Sequence, residues 1–306
     1  MNHVYLSVSY IKDLDEVLAL RKSLRACGDD TPHHIVVHDE DLPAFQAALA
    51  GDPQARLHST ADYLPARVER LRARVVAGRK PSKFVRSVMK RFGHRRTFEA
   101  LQLTGWHYQQ LTKLYATAAM PEECVVILDS DLLALAKPRA DHFMRDGKCF
   151  LFETIGKDMA SSFYRSWLES TKRFYDMPDE TFADVNYVFG PVVWSRSMVR
   201  DLIPSVEDRI GSELIEAFSR HKLQSEYFLY GLFARRSGKF GELCVASSET
   251  LSLEIKEPVP ESEFGHVIEA LSDTTRRPFL WVHGFVPGRD ALIDRILHAL
   301  HGEAGR

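Results

Sequence analysis

From Val125 to Leu135 the chain reads VVILDSDLLAL. Four apolar residues, Val125, Val126, Ile127 and Leu128, run into Asp129-Ser130-Asp131, and a second apolar run follows. A short unbroken apolar run bounded by polar residues is the pattern of a fully buried strand. Two carboxylates two residues apart at its end are costly to bury unless a cation neutralises them. At the carboxyl edge of a sheet, such a pair suits a divalent metal and a phosphorylated ligand.

The preceding segment, Thr104 to Ala119 (TGWHYQQLTKLYATAA), reads as a helix that Pro121 ends. Trp106, Gln110, Lys113 and Thr117 fall near one of its faces. Because this helix leads straight into the strand, its polar residues can flank the carboxylates. Lys113 either touches a ligand phosphate or is a surface lysine. At the start of the chain, His3 to Tyr10 reads as a strand and Asp13 to Ala26 as a helix, with Asp13 as its cap and Gly28 as its stop. His34 to His38 reads as a second buried strand. Strand, helix and strand predict a parallel pair in an α/β fold, a central mostly parallel sheet flanked by helices. The end of the first strand, Ser7 to Tyr10, then lies at the ligand-binding edge of that sheet. Phe45 to Leu64 is mixed and gives no clear pattern.

Downstream, Cys149 to Phe152 reads as a short strand and Phe163 to Phe174 as an aromatic, amphipathic helix. Asn186 to Trp194 (NYVFGPVVW) is strand-like but broken by Gly190-Pro191, which predicts a bulge or a close backbone approach to a ligand. Ser197 to Leu202 and Glu213 to Phe218 read as helical. Ser225 to Phe233 (SEYFLYGLF) surrounds one carboxylate, Glu226, with aromatic residues. Glu226 is either a catalytic or acceptor-binding group or a first-turn carboxylate behind a Ser225 cap. Phe279 to Phe285 (FLWVHGF) reads as a late strand ending at His283-Gly284, where the histidine is either structural or a ligand. Ala291 to Leu300 reads as a closing helix.

Arg67 to Arg96 stands apart, with twelve Lys or Arg residues against one acidic residue, Glu69. Phe84, Val85, Val88, Met89 and Phe92 fall at helical spacing within it. A basic helical insertion at about 65–100 can lie on an anionic membrane surface, cover an acceptor, or be a solvated face. Overall net charge is only −2 and no nucleic-acid motif is present, so nucleic acid is not the expected partner. Cys27, Cys124, Cys149 and Cys244 are far apart, with neither disulfide nor zinc spacing. There is no signal-peptide layout, and no apolar stretch reaches the ~18–20 residues needed to span a bilayer. The expected location is cytoplasmic. No repeat or low-complexity linker interrupts the 306 residues, so a single continuous domain is expected.

Taken together, GWHYQQLTKLYA before VVILDSD, then NYVFGPVVWSR, SEYFLYGLF and WVHGF resemble a bacterial family of glycosyltransferase-like proteins, the domain of unknown function 6492. The DSD stretch looks like the DxD motif of GT-A-fold glycosyltransferases. The resemblance covers about residues 3 to 290 and is thinnest over the basic segment. It implies a nucleotide-sugar donor and a Mn²⁺ or Mg²⁺ ion bridging the motif to the donor diphosphate. It implies Asp131 as direct metal ligand, Asp129 on the ribose or a metal-bound water, and His283 completing the metal site. Gln110, Lys113 and the Tyr10 end of the first strand would line the nucleotide side. Glu226 would face the acceptor as base, with Asp184 as the weaker candidate. The resemblance supplies no acceptor; the main reading takes it to be a bacterial surface glycan or glycolipid.

Two other classes compete. A nucleotidyltransferase also uses metal-binding carboxylates on an α/β sheet, but the first strand ends SVSYIKD without the usual glycine-rich phosphate loop. A non-catalytic nucleotide- or carbohydrate-binding module would not need to keep both aspartates and His283.

Overall fold

The computed structural model describes residues 2–77, 103–156, 162–178, 182–271 and 273–303. The strands in chain order are β1 (His3–Val8), β2 (His33–Val37), β3 (Ala55–Ser59), β4 (Cys124–Ile127), β5 (Leu132–Ala134), β6 (Met144–Arg145) and β7 (Lys148–Phe152). They continue as β8 (Thr154–Ile155), β9 (Val185–Asn186), β10 (Val192–Ser195), β11 (Cys244–Ser247), β12 (Ser252–Ile255) and β13 (Phe279–Val282). The described helices are α1 (Leu14–Ala26), α2 (Leu42–Leu49), α3 (Ala66–Val76), α4 (Gly105–Ala119), α5 (Ser162–Phe174) and α6 (Arg196–Ile210). After them come α7 (Ile215–Ser219), α8 (Glu226–Arg236), α9 (Phe240–Leu243), α10 (Glu261–Leu271) and α11 (Arg289–Glu303).

The central sheet has the order β10-β4-β1-β2-β3. β1 pairs parallel with β2 and with β4, and β2 pairs parallel with β3. Only β10 runs antiparallel, with Val192 opposite Ile127. The parallel β1–β2 pair expected from the first forty residues is therefore present. The connecting helix α1 buries Val17, Leu20, Arg21 and Leu24, the one-faced spacing of a helix laid on a sheet. All four residues of β4 are buried, as the continuous apolar run required. The unclear stretch Phe45–Leu64 resolves into the end of α2 and the edge strand β3.

The chain does not stay in the central sheet after β4. It crosses Asp129-Ser130-Asp131 and enters β5, which belongs to a second sheet ordered β12-β13-β5. The two apolar runs around DSD are thus strands of different sheets. β13 lies antiparallel to β5 with Trp281 opposite Leu132, so the residues that follow Trp281 pass beside Asp131. β13 stops at Val282, leaving His283 in the turn beyond it rather than in the strand. A third sheet has the order β11-β7-β6, and β8 and β9 form a two-stranded ribbon.

Two glycines permit close packing. A Cβ on Gly190 would lie 2.8 Å from the Trp281 ring, and one on Gly231 would lie 2.4 Å from Tyr187. The approach expected at Gly190-Pro191 is therefore to Trp281, an aromatic side chain. Of the basic stretch, residues 78–96 lie outside the described residues, and with them Phe84, Val85, Val88, Met89 and Phe92. In its described part, Arg72 is buried between Glu69 at 2.6 Å and Glu40 at 3.2 Å, and Arg67 pairs with Glu213 at 2.5 Å. Those two arginines are tied to carboxylates within the fold and do not belong to a free basic face. Among the described residues no helix is long and apolar enough to cross a membrane.

Candidate functional site

The carboxyl ends of β1 and β4 meet where strand order reverses in the central sheet, the place at which open α/β sheets bind ligands. A cavity of about 870 Å³ opens there. Asp129, Ser130 and Asp131 line it, together with Lys113, Glu226, Tyr227, Trp281 and His283. Its size is within the range of small-molecule sites, roughly 300–1,000 Å³.

The two aspartates of the motif have different surroundings. Asp129 accepts a hydrogen bond from Lys113 Nζ at 2.9 Å and one from the Tyr227 hydroxyl at 3.2 Å. Lys113 also donates to Tyr227 Oη at 2.7 Å and stands 3.3 Å from Glu226 Oε1. One buried ammonium therefore serves two carboxylates and a phenol. Burial alone would lower the Lys113 pKa, but Asp129, Tyr227 and Glu226 hold it well above the usual lysine value. Burial raises the Glu226 pKa, Lys113 opposes that, and Asp129 adds to it.

Among the described residues, no lysine or arginine pairs with Asp131. Burial and the charge of Asp129 raise its pKa, while Trp281, His283 and Arg289 partly offset them. The Trp281 indole N–H is buried without a hydrogen-bond partner and lies close enough to Asp131 to hold its pKa down. Next to Asp131, Asp13 is pushed up to about 6 by burial, Glu16 and Asp131 itself. Arg289 reaches this group from the C-terminal helix and pairs with Glu16 at 3.4 Å. Five carboxylates (Asp13, Glu16, Asp129, Asp131 and Glu226) line the cavity against two lysines, Lys113 and Lys256. An anionic ligand entering here needs added positive charge.

His283 Nε2 bonds Glu254 Oε1 at 2.8 Å, and its ring lies between Trp281 and Phe285, at centroid distances of 4.3 and 5.0 Å. The Glu254 bond fixes the ring and leaves Nδ1 as its other coordinating atom. No three His, Cys, Asp or Glu side chains among the described residues are clustered as a ready-made metal site. The donor chemistry still fits a hard cation that takes carboxylate oxygens and keeps part of its shell for water and phosphate.

The remaining expected residues are placed as follows. Gln110 does not line the cavity; it is buried behind it, where its Oε1 accepts the Glu226 backbone N–H at 3.0 Å. Tyr10 stands at the margin, 39% exposed, beside Asp13. Asp184 does not line the cavity and pairs with Arg165 at 3.3 Å. Asp13 was expected to cap α1, but its side chain makes no capping bond and faces the cavity. Ser225 precedes α8 without capping it, and its hydroxyl is buried, unpartnered and on the cavity wall. Sequence reasoning missed Tyr227, Trp281, Asp13 and Glu16. Asp13 and Glu16 share one end of α1, which follows the ligand-binding end of β1, and that spacing was readable.

On the other side of the cavity the lining is aromatic. Trp106 and Trp167 lie 5.6 Å apart between centroids, and Tyr164 lies 5.5 Å from Trp167. Trp106 and Phe163 are exposed at this lip.

A family model described as a family of unknown function, DUF6492, matches residues 7–261. No curated protein matches the chain in sequence. Solved structures of similar shape include mouse xyloside xylosyltransferase 1 in its apo form, at 13% identity and a TM-score of 0.45, covering 92% of this chain and 97% of that one. The galactosyltransferase LgtC, with donor and acceptor sugar analogues, matches at 13% identity and a TM-score of 0.48, covering 95% and 94%. Core-mannan synthase A from Aspergillus fumigatus, in its Mn/GDP form, matches at 10% identity and a TM-score of 0.45, covering 76% and 69%.

Proposed function

The chain belongs to the DUF6492 family, and we propose that it is a metal-dependent glycosyltransferase of GT-A type. It would move a sugar from a nucleotide-sugar donor to a hydroxyl of a glycan or glycolipid. The observation that carries this reading is the inequality of the two motif aspartates. Asp129 is neutralised from within by Lys113, whereas among the described residues no lysine or arginine pairs with Asp131, and burial and the charge of Asp129 raise its pKa. A divalent cation held at Asp131 would relieve that repulsion and supply the positive charge a diphosphate needs in an acidic cavity.

Asp131 and His283, which line the same cavity, would hold the metal, the histidine through the Nδ1 that its bond to Glu254 leaves free. When bound, the cation would stabilise the charge that grows on the departing nucleoside diphosphate. Asp129 serves as the fixed partner of Lys113 and Tyr227, and it keeps the turn that presents Asp131 in place. Lys113, read from the sequence as either a phosphate contact or a surface lysine, is buried and engaged with Asp129 and Glu226. Glu226 would serve as the acceptor-side carboxylate and general base, since it lines the cavity. Asp184 and Tyr10 receive no role in the chemistry. The aromatic lip supplies flat apolar faces on which a sugar ring or a base can lie.

A thermal-shift screen of nucleotide sugars, each with Mn²⁺ and with EDTA, tests this. We expect stabilisation by donors of one base, in Mn²⁺ only. Equal shifts with EDTA, or none with any donor, contradict it.

A further inference from the structure

Behind the motif runs a chain of buried polar groups that the proposed chemistry does not use. Ser7 of β1 is fully buried, and its hydroxyl donates to the carbonyl oxygen of Leu128 at 2.6 Å. Leu128 is the residue before Asp129, and its own N–H donates to the Leu6 carbonyl at 3.0 Å. Both sides of Leu128 are thereby tied to β1. The Ser7 oxygen is in turn 2.8 Å from His33 Nε2, on β2. Arg21 Nη1 reaches His33 Nδ1 at 3.5 Å, and Arg21 is held by Asp52 through two bonds of 2.7 and 2.9 Å.

The donors fix a direction through this chain. Arginine can only donate, so His33 Nδ1 accepts and Nε2 carries the proton. His33 then donates to Ser7, and the Ser7 proton goes to Leu128. Burial, with the charges of Arg21 and His34, keeps the ring neutral. Each hydroxyl and ring nitrogen has one assignment, and the last acceptor is the peptide that leads into the motif. Rotating that peptide would swing Asp129 away from Lys113 and carry the Asp131 turn with it. A second tie, between the Ser9 and Ser130 hydroxyls at 3.2 Å, lies on the far side of the same turn.

We propose that Ser7 and His33 are positioning residues: the line Asp52–Arg21–His33–Ser7–Leu128 sets the orientation of Asp129-Ser130-Asp131 and so the affinity of the site for a metal–diphosphate. The proposal rests on the metal-dependent reading given above. None of these residues lines the cavity, so their role is read in the Mn²⁺-dependent affinity of variants that fold.

The test titrates UDP and GDP, with Mn²⁺ and with EDTA, into the wild-type protein and three variants. Ser7→Ala removes the last donor of the line. Ser7→Cys keeps its size with a poorer donor. Val17→Ala trims a fully buried residue in a separate small core cluster. Loss of a supporting partner behind a metal ligand weakens metal affinity about 10–100-fold, and Ser7→Ala is expected to weaken the Mn²⁺-dependent affinity at least ~10-fold. Ser7→Cys should fall between it and wild type, and decides the matter alone if Ser7→Ala does not fold. Val17→Ala should lose stability but bind as wild type does. Wild-type affinity in Ser7→Cys, or an equal loss in Val17→Ala, overturns the positioning role. Absence of Mn²⁺-dependent binding in the wild type overturns the functional reading itself, and this proposal with it.

Discussion

Asp131 and Lys113 show opposite solutions to the same physical difficulty. A buried carboxylate needs a cation, and Lys113 meets that need for two at once. Replacing Lys113 with Met would leave Asp129 and Glu226 uncompensated, at a cost of about 3–5 kcal/mol. We expect a large fall in the thermal midpoint, partly restored in a Lys113→Met/Glu226→Gln double variant. Among the described residues Asp131 has no such lysine or arginine partner, and its pKa is raised, so its ionised form works against folding at neutral pH. Asp131→Asn should therefore leave the melting temperature unchanged or raise it by about 2 °C, which differential scanning calorimetry can read. A drop of many degrees would mean that Asp131 is structural. Nothing in DSD says which aspartate is paired, because that depends on Lys113, 16 residues earlier on the packed helix α4, and on Tyr227, 98 residues later. Tyr10, Gln110 and Asp184 show the converse. Their positions in the chain put them near the right elements, but side-chain direction, set by packing, points Gln110 inward and Asp184 to an arginine.

Among the elements, the strands at the sheet's centre were legible because an unbroken apolar run buried on both faces has few alternatives. The same run concealed a change of sheet. LLA after DSD looks like a continuation of VVIL, yet β5 pairs with β13 and not with the central sheet. Only the long-range register of Trp281 opposite Leu132 reveals why His283 arrives near Asp131. Gly190 is a second element-scale device, since it lets the Trp281 ring approach the backbone. Gly190→Ala should displace that ring and weaken Mn²⁺-dependent nucleotide binding severalfold, because small shifts at a positioned site are costly. Gly231→Ala, by contrast, forces α8 away from Tyr187. It should cost roughly 1–3 kcal/mol of stability by overpacking, read from a chemical denaturation midpoint.

At the scale of the whole molecule, the N-terminal half carries histidines held neutral by burial. His34 is pushed down to about 4, chiefly by burial and then by His58, with which it stacks at 5.0 Å. The sign follows from linkage. Above pH 6.5, the ordinary histidine value, both folded and unfolded chains are neutral here and nothing is lost. Below it the unfolded chain takes a proton that folded His34 refuses until about pH 4, so stability drains across that window. Asp13, pushed up to about 6, acts the other way and gains stability as pH falls. The difference between wild type and a His34→Phe variant isolates the first effect. The melting temperature of wild type relative to that of the variant should fall as pH goes from about 7 to about 5, and a constant difference would contradict it.

The claim on which the rest depends is that Asp131 takes a divalent cation for a nucleoside diphosphate. Calorimetric titration of UDP and of GDP into wild type and Asp131→Ala, each with Mn²⁺ and with EDTA, tests it most directly. Wild type should bind one of the two only with Mn²⁺, and Asp131→Ala should lose this binding while remaining folded. Binding of equal strength in the variant, or in wild type with EDTA, would contradict it.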